Sequence, residues 1–310
     1  MTAAAIDLGT NTFHLIVAEL NGKNIQVVYK TSISAQLGEG GLTDNIIQPK
    51  AFERGLLALE SFVEVLKTYT IDELKATATS AVRNASNGAD FVQAVKERTG
   101  IDIEIISGEQ EAGYIFKGVQ ATGMIQGTSL VMDIGGGSTE FILCNAQSII
   151  WKKSYDIGAA RLLQLFFKSD PLSLADKNAI INHVECTLED LLDVCKKHRP
   201  ETLIGSAGAF ESFATLMKIR NGEEVGTLTS AALNIQAYRD LSLEILQSTH
   251  SERAKMPGLI RLRVDMIVIA TMLVDFILEK TGISHLSLST NDLKIGVLQT
   301  LSDKHAGQSI

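Results

Sequence analysis

Two stretches of this chain are near copies of one another. Residues 5–17 read A-I-D-L-G-T-N-T-F-H-L-I-V, and residues 131–143 read V-M-D-I-G-G-G-S-T-E-F-I-L. They align without a gap at an offset of 126, which places Asp7 on Asp133, Gly9 on Gly135 and Thr12 on Ser138, with the flanking apolar residues also in step. One such segment is an ordinary hairpin turn. Two in register, each opening one half of a 310-residue chain, predict a duplicated two-domain fold. The length agrees, at ~100–200 residues per domain.

The order of elements between the copies predicts the fold class. Ala3–Leu8, Phe13–Leu20 and Ile25–Ser34 read as strands rich in β-branched and aromatic residues, separated by turns at Leu8–Thr12 and Asn21-Gly22. Pro49 opens a helix with Leu56, Leu59, Phe62, Val63 and Leu66 at helical spacing. A strand at Leu74–Thr79, a helix at Ala89–Glu97, a strand at Ile101–Ile106 and a helix at Glu109–Phe116 continue the first half. The second half starts again with strands at Ser129–Asp133, Thr139–Cys144 and Ser148–Trp151, and then helices at 158–167 and 173–196. Thr202–Ile204 reads as a strand with a helix behind it; helices at 230–247 and 259–279, a strand at His285–Ser289 and a helix from Asp292 complete the chain. This alternation predicts an α/β protein with mixed, largely parallel sheets covered by helices. The expected domains are 1–122 and 123–296, with a last helix over 297–310 packing back on the first.

Composition excludes several classes. A net charge of −8, from 28 basic and 36 acidic residues, argues against a generally basic nucleic-acid or membrane-surface binder. The three cysteines, Cys144, Cys186 and Cys195, are an odd number without CxxC spacing, so no disulfide framework is expected and they read as small core or surface residues. The N-terminus lacks a basic segment before its apolar run, and Asp7 interrupts that run, so no secretory signal is read. Met266–Val274 is nine apolar residues long, against the ~20 needed to span a membrane. A reducing cytoplasm is the expected location. The six histidines are scattered, and no two share the spacing of a zinc site.

The repeated loops carry the chemistry. Glycines let a backbone approach a ligand closely, and consecutive turn amides make a concave anion site. Gly9, Thr10, Asn11 and Thr12 in the first loop, and Gly135, Gly136, Gly137, Ser138 and Thr139 in the second, offer amide and hydroxyl donors. A carboxylate at the strand end disfavours a bare phosphate but suits hydrated Mg²⁺, which takes one or two carboxylates and keeps its waters. A phosphoryl group gripped by both loops beside a cation is the natural reading, and the bland alternative is two hairpins without a ligand.

The two loops resemble the phosphate loops of the acetate and sugar kinase, heat-shock chaperone and actin superfamily. Within it, T-S-A-V-R-N-A-S-N (79–87), E-I-I-S-G-E-Q-E-A-G-Y-I-F-K-G-V (104–119) and the opening 5–17 resemble the exopolyphosphatase / guanosine pentaphosphate phosphohydrolase (Ppx/GppA) family. The resemblance runs from residue 3 to about 300 and is strongest in the first 145 residues. It implies two actin-like (ribonuclease H-like) domains with a cleft between them. It also implies an Mg²⁺-dependent phosphohydrolase acting on the terminal phosphate of inorganic polyphosphate or guanosine pentaphosphate. The family's longer members carry a further C-terminal helical domain, and any processivity arising there is not expected of this chain. The resemblance leaves room for a homodimer.

The resemblance also implies roles for single residues. Glu111, at the start of a helix after a Ser-Gly turn, aligns with the family's catalytic glutamate; spacing alone leaves Glu109 equally eligible, since both suit the first turn of a helix. Asp133 and Glu140 are implied to organise Mg²⁺ and water, and Asp7 is a second metal-side carboxylate or a turn stabiliser. Arg83 has no acid adjacent in sequence and offers planar, bidentate donation to phosphate, the plain alternative being a helix-cap arginine. A third glycine loop, I-G-S-A-G-A-F-E (204–211), adds Gly205 and Ser206, while Ala207 and Ala209 replace the hydroxyl or glycine that the family favours. The segment 288–298, L-S-T-N-D-L-K-I-G-V-L, also departs from the family's S-D-G-x-L-R-E-G-x-L. Those departures bear on substrate grip, and they support a rival reading as a catalytically weakened polyphosphate- or nucleotide-binding regulatory protein; a kinase of the same superfamily is a third. Arg253, Lys255, Arg261 and Arg263 form a basic cluster that a long polyanion could use, although acids nearby make a solvated, paired surface the simpler reading.

Overall fold

The computed structural model describes residues 1–22, 24–206 and 208–308, with the side chains of 306–308 left aside. The chain divides into two compact units. Unit 1 comprises Met1–Gly118 and Leu293–Ile310, and unit 2 comprises Val119–Asp292.

Unit 1 begins with three antiparallel strands, β1 (Thr2–Leu8), β2 (Phe13–Asn21) and β3 (Asn24–Ile33). Helix α1 (Pro49–Leu66) comes after them, its proline in the first turn, where no amide is needed. Strand β4 (Glu73–Ala78), the short helix α2 (Ser80–Arg83), α3 (Gly88–Thr99), β5 (Ile103–Ile105) and α4 (Gly108–Gln120) come next. The sheet order is β3-β2-β1-β4-β5, with β1, β4 and β5 parallel. Leu8, Phe13, Leu15, Leu59, Phe62 and Phe91, none more than 1% exposed, fill its core.

Unit 2 repeats the plan. Strands β6 (Ser129–Ile134), β7 (Thr139–Cys144) and β8 (Ile149–Tyr155) are antiparallel, and they lead into helices α5 (Ala159–Phe166), α6 (Leu174–Thr187) and α7 (Glu189–His198). Then come β9 (Thr202–Ser206), α8 (Gly208–Arg220), β10 (Ala231–Leu233), α9 (Ile235–Gln247), α10 (His250–Arg253), α11 (Met266–Thr281) and β11 (His285–Ser289). The sheet order is β10-β11-β9-β6-β7-β8, with β6, β9 and β11 parallel. Every residue of β6 and β7 is buried, as expected of central strands covered on both faces. The apolar run of α11 is a core helix of this unit, and no helix among the described residues is long and apolar enough to cross a membrane.

The last helix, α12 (Leu293–Gln308), belongs to unit 1 and packs on β1 and β2. His305 and Lys304 meet Glu73 at 2.7 and 3.0 Å, and Ser302 Oγ donates to the carbonyl of Gly22.

The duplication is exact in the strand register. Asp7 pairs with His14 across β1–β2, and Asp133 with Glu140 across β6–β7, at the same offset of 126. A register shift between Val17 and Ala18 on β2 recurs between Leu143 and Cys144 on β7. An ideal Cβ at Gly9 would stand 2.9 Å from the carbonyl of Thr12, and one at Gly135 would stand 2.9 Å from that of Ser138. Hairpin, turn and bulge were therefore copied together.

Three expected helices differ in extent. The one predicted over 173–196 breaks into α6 and α7 at fully buried Leu188, whose backbone (φ −102°, ψ 14°) leaves the helical region. The one predicted over 230–247 starts only at Ile235, because Ala231–Leu233 pair with β11 first and the Asn234 side chain caps the first turn of α9. The helix placed over 259–279 begins at Met266, after a single 3-10 turn at Arg261–Arg263.

Candidate active site

The second loop shows how the fold builds an anion cradle. Three of its carbonyls are tied back by the start of α5: Ala159 N donates to Gly135 O (2.9 Å), Ala160 N and Arg161 N to Gly136 O (2.9 and 3.0 Å), and Gly158 N to Gly137 O (3.3 Å). The buried Arg161 adds Nε to Gly137 O at 3.0 Å. In a planar trans peptide the N–H opposes the preceding C=O. The amides of Gly136, Gly137 and Ser138 therefore point away from α5, in one succession, as an anion-binding concavity requires. Gly158 must be glycine for this packing, since an ideal Cβ there would stand 2.5 Å from backbone atoms of Gly136 and Gly137.

The first loop uses the same device. Gly38 N donates to Thr10 O (3.0 Å) and Gln36 N to Asn11 O (2.8 Å), from the segment after β3. Residues 10 and 11 are the repeat counterparts of 136 and 137, and the amides of Asn11 and Thr12 turn outward correspondingly. Neither Gly158 and Arg161 nor Gln36 and Gly38 belonged to the candidate set, because backbone ties leave little trace in a sequence; the excess of glycines at 38–41 was the available signal.

Side chains at the two loops have diverged. Asp133 and Glu140, 9% and 2% exposed, are direct cross-strand partners and so share one sheet face. Ser154 Oγ donates to Glu140 Oε1 at 2.6 Å and orients that carboxylate. Two buried carboxylates side by side repel unless a cation or a proton sits with them. Mg²⁺, with one or two carboxylates and waters completing its shell, fits this donor set; among the described residues no cluster of three or more His, Cys, Asp or Glu forms a closed metal cage. At the corresponding place in unit 1 half-buried Asp7 faces His14.

Other candidate residues have structural duties. Thr139 is fully buried and its hydroxyl donates to Ile157 O at 3.0 Å, so only its backbone remains for a ligand. Ser138 and Thr10 are buried in their turns. On β9, Gly205 and Ser206 continue the sheet beside Met132 and Asp133, and Ser206 Oγ donates to Asn291 O at 3.4 Å. Ala207 lies outside the described residues. Gly205 is packed so closely on the Phe210 ring that an added Cβ would stand 1.9 Å from it.

The basic cluster dissolves. Arg253 is 0% exposed, with Nη2 on Asp170 and Asp265 at 3.1 and 3.0 Å and Nε on Val264 O at 2.8 Å, so it pins three segments of unit 2. Arg263 is largely buried and donates to Ser212 Oγ at 2.8 Å; its burial pulls its pKa down. Only Lys255 and Arg261 of the four face solvent.

In unit 1, Arg83 and Glu111 come together. Arg83 Nη1 lies 2.7 Å from Glu111 Oε2 and also donates to Ile106 O at 3.1 Å. The acid missing from the neighbourhood of Arg83 in sequence thus arrives 28 residues later. Glu111 is 7% exposed, whereas Glu109 faces solvent, which separates two residues that spacing leaves equal. A capping box of Ser107 and Gln110 fixes the start of α4, with Gln110 N on Ser107 Oγ (3.1 Å) and Ser107 N on Gln110 Oε1 (2.8 Å).

Comparison with known proteins places the chain in a family. The model of the Ppx/GppA phosphatase family matches residues 15–305. A putative exopolyphosphatase of Haemophilus influenzae is 30% identical over 298 residues, covering 96% of this chain and 90% of that protein. A guanosine-5'-triphosphate,3'-diphosphate pyrophosphatase of Pseudoalteromonas translucida is 29% identical, and the chain spans 59% of its length. A solved exopolyphosphatase from Cytophaga hutchinsonii superposes with a TM-score of 0.94 at 35% identity, over 98% of both chains. A Ppx/GppA structure from Aquifex aeolicus, with a TM-score of 0.82 at 24% identity, shares the duplicated actin-like fold. With the family model covering most of its length and the same fold in the solved relatives, this chain belongs to the Ppx/GppA phosphatase family, hydrolases that act on phosphoanhydrides.

Proposed function

We propose that this chain releases terminal phosphate from inorganic polyphosphate, guanosine pentaphosphate or both, through an in-line water assisted by Glu111 and with Mg²⁺ as cofactor. The observation that carries this reading is the pair of loops whose carbonyls are tied back and whose successive amides turn outward at equivalent positions of the two units. Such cradles suit phosphoryl oxygens. Glu111 would accept a proton from the water as its oxygen attacks the terminal phosphorus. The bond from that phosphorus to the bridging oxygen breaks, the bridging oxygen leaves on the shortened chain, and orthophosphate is the other product. Asp133 and Glu140 would hold Mg²⁺, with Asp7 as the corresponding carboxylate of unit 1; when bound, the ion would neutralise charge on the transferred group. The amides of Asn11, Thr12, Gly136, Gly137 and Ser138 would orient phosphoryl oxygens.

Glu111→Gln tests the assignment. It should lower kcat for phosphate release at least ~100-fold, the usual scale for a general base, with tripolyphosphate binding by titration calorimetry largely kept. Unchanged hydrolysis in that variant would overturn it. Side-by-side assays with polyphosphate and guanosine pentaphosphate, with and without Mg²⁺, define the substrate, and tight binding without phosphate release in the unmodified protein would favour a regulatory role instead.

A further inference from the structure

We infer that Arg83 is a positioning residue that couples the base to the substrate: its Nη1 fixes Glu111, and its opposite edge, Nε and Nη2, takes oxygens of the phosphoryl group. The inference rests on the reading of Glu111 as the base. A guanidinium has five N–H donors in a rigid fork. Here Nη1 serves both protein acceptors, Glu111 Oε2 and Ile106 O, while Nε and Nη2 make no hydrogen bond to any described residue. Yet the Arg83 side chain is only 18% exposed, and the Glu111 side chain, taken by itself, only 9%. Three N–H groups on one largely enclosed edge form the side that suits bidentate phosphate.

The mounting of Arg83 supports the coupling. Thr79, at the start of α2, is tied by both its amide and its hydroxyl to Leu8 O at 3.3 Å, and Leu8 directly precedes the first loop. Arg83 N in turn donates to Thr79 O at 2.9 Å. On the other side, Ile106 N donates to Ala78 O (3.1 Å) and Glu111 N to Ser107 O (2.9 Å), so the segment carrying Glu111 is registered on the same strand end. One guanidinium thus links the loop that would hold phosphate with the carboxylate that would activate water. A displacement of about 1 Å in such a constellation costs on the order of 100-fold in rate.

The test is a double-mutant cycle with kcat and KM read separately. Arg83→Lys keeps a charge for phosphate but loses the fork that spans two partners. It should leave KM within ~5-fold and lower kcat at least ~30-fold, since a point charge still binds phosphate but no longer fixes the base. In a Glu111→Gln background the same substitution should leave the residual kcat unchanged, because its effect acts through Glu111. Full additivity of the two kcat losses, or a KM effect alone, would overturn the inference while leaving Glu111 as the base. Retained activity of Glu111→Gln alone would instead remove the underlying reading. Arg83→Gln, with circular dichroism and thermal melting alongside, replaces the lysine variant if the latter does not fold.

Discussion

Substituting Gly158 by alanine tests whether the second loop owes its shape to the start of α5. The backbone of Gly158 (φ −67°, ψ 156°) is open to any residue, so the effect is purely steric. The added Cβ would stand 2.5 Å from the carbonyl carbon and oxygen of Gly136 and the carbonyl carbon of Gly137, all backbone atoms that cannot rotate away. Reaching ordinary contact at 3.4 Å requires a shift of about 0.9 Å. Overpacking of this kind costs ~1–3 kcal/mol. The shift also stretches the bonds from Gly158, Ala159, Ala160 and Arg161 to the loop carbonyls, each with a net value of ~0.5–1.5 kcal/mol. Losing part of that set brings the expected total to about 3–5 kcal/mol, or a Tm lowered by roughly 10 °C. Because the same shift re-aims the amides of Gly136, Gly137 and Ser138, KM for polyphosphate should rise as well. Gly226→Ala is the control: nothing lies within 4 Å of its added Cβ and its φ is not positive, so its stability should stay within ~0.5 kcal/mol of the parent. Differential scanning calorimetry and phosphate-release kinetics on both variants decide the matter. A Gly158→Ala protein as stable and as active as Gly226→Ala would refute the claim that α5 sets the loop.

Three further perturbations probe groups whose surroundings are unusual. Ser80 Oγ is buried with no hydrogen-bond partner among the described residues, so Ser80→Ala should raise stability by ~1 kcal/mol in urea denaturation; a loss of stability would mean that the hydroxyl does find a partner. Arg253→Met removes the buried guanidinium's bonds to Asp170, Asp265 and two backbone carbonyls and should cost ~1–3 kcal/mol, so an unchanged melting curve would remove Arg253 as the clasp of unit 2. Burial raises the pKa of the Asp275 carboxyl despite the hydroxyl of Ser242 donating to it. A raised folded-state pKa gives stability that is full below the ordinary carboxylate value and is lost as pH rises through the folded value. Asp275→Asn should therefore raise Tm at pH 8 and lose that advantage towards pH 4; a pH-independent difference would contradict the burial of a titrating carboxyl.

How far the sequence could be read depended on whether a feature leaves a mark in side chains. The 126-residue offset revealed the duplication, and with it the repeated strand–turn–strand unit, whereas the cross-strand pairing of Asp133 with Glu140 emerged only with the strand register. Helix ends were harder. Leu188 divides α6 from α7 without glycine or proline, its side chain being drawn into the core. Ala231–Leu233 is too short for any period to show, and it becomes a strand only because β11 offers an edge. The basic cluster was legible only in part: nearby acids favoured a paired arrangement, as Arg253 with Asp265 bears out, but charge counted along the chain cannot say that Arg253 is buried or that Asp170 is its other partner.

The two loops also show what duplication preserved and what it released. Tied-back carbonyls, outward amides, the tight glycine contacts and the strand bulge recur at equivalent positions, and all of these are backbone features. The side chains facing the strand-end aspartates do not recur, with His14 in one unit and Glu140 in the other. A cradle made of main chain can bind phosphoryl oxygens twice over without specifying any reaction, since its donors are the same whatever residues carry them. Chemistry needs inequality: a buried carboxylate pair suited to a divalent cation in unit 2, and a single carboxylate held by an arginine in unit 1. If that division holds, exchanging the differing residues should be far more damaging to turnover than to binding. His14→Glu would place a second acid beside Asp7 and repel the phosphate chain or recruit a cation there, whereas Glu140→His would remove one of the two carboxylates proposed to hold the cation. Phosphate release should fall steeply for Glu140→His while tripolyphosphate binding measured without Mg²⁺ changes little, because the amides proposed to grip the chain are untouched.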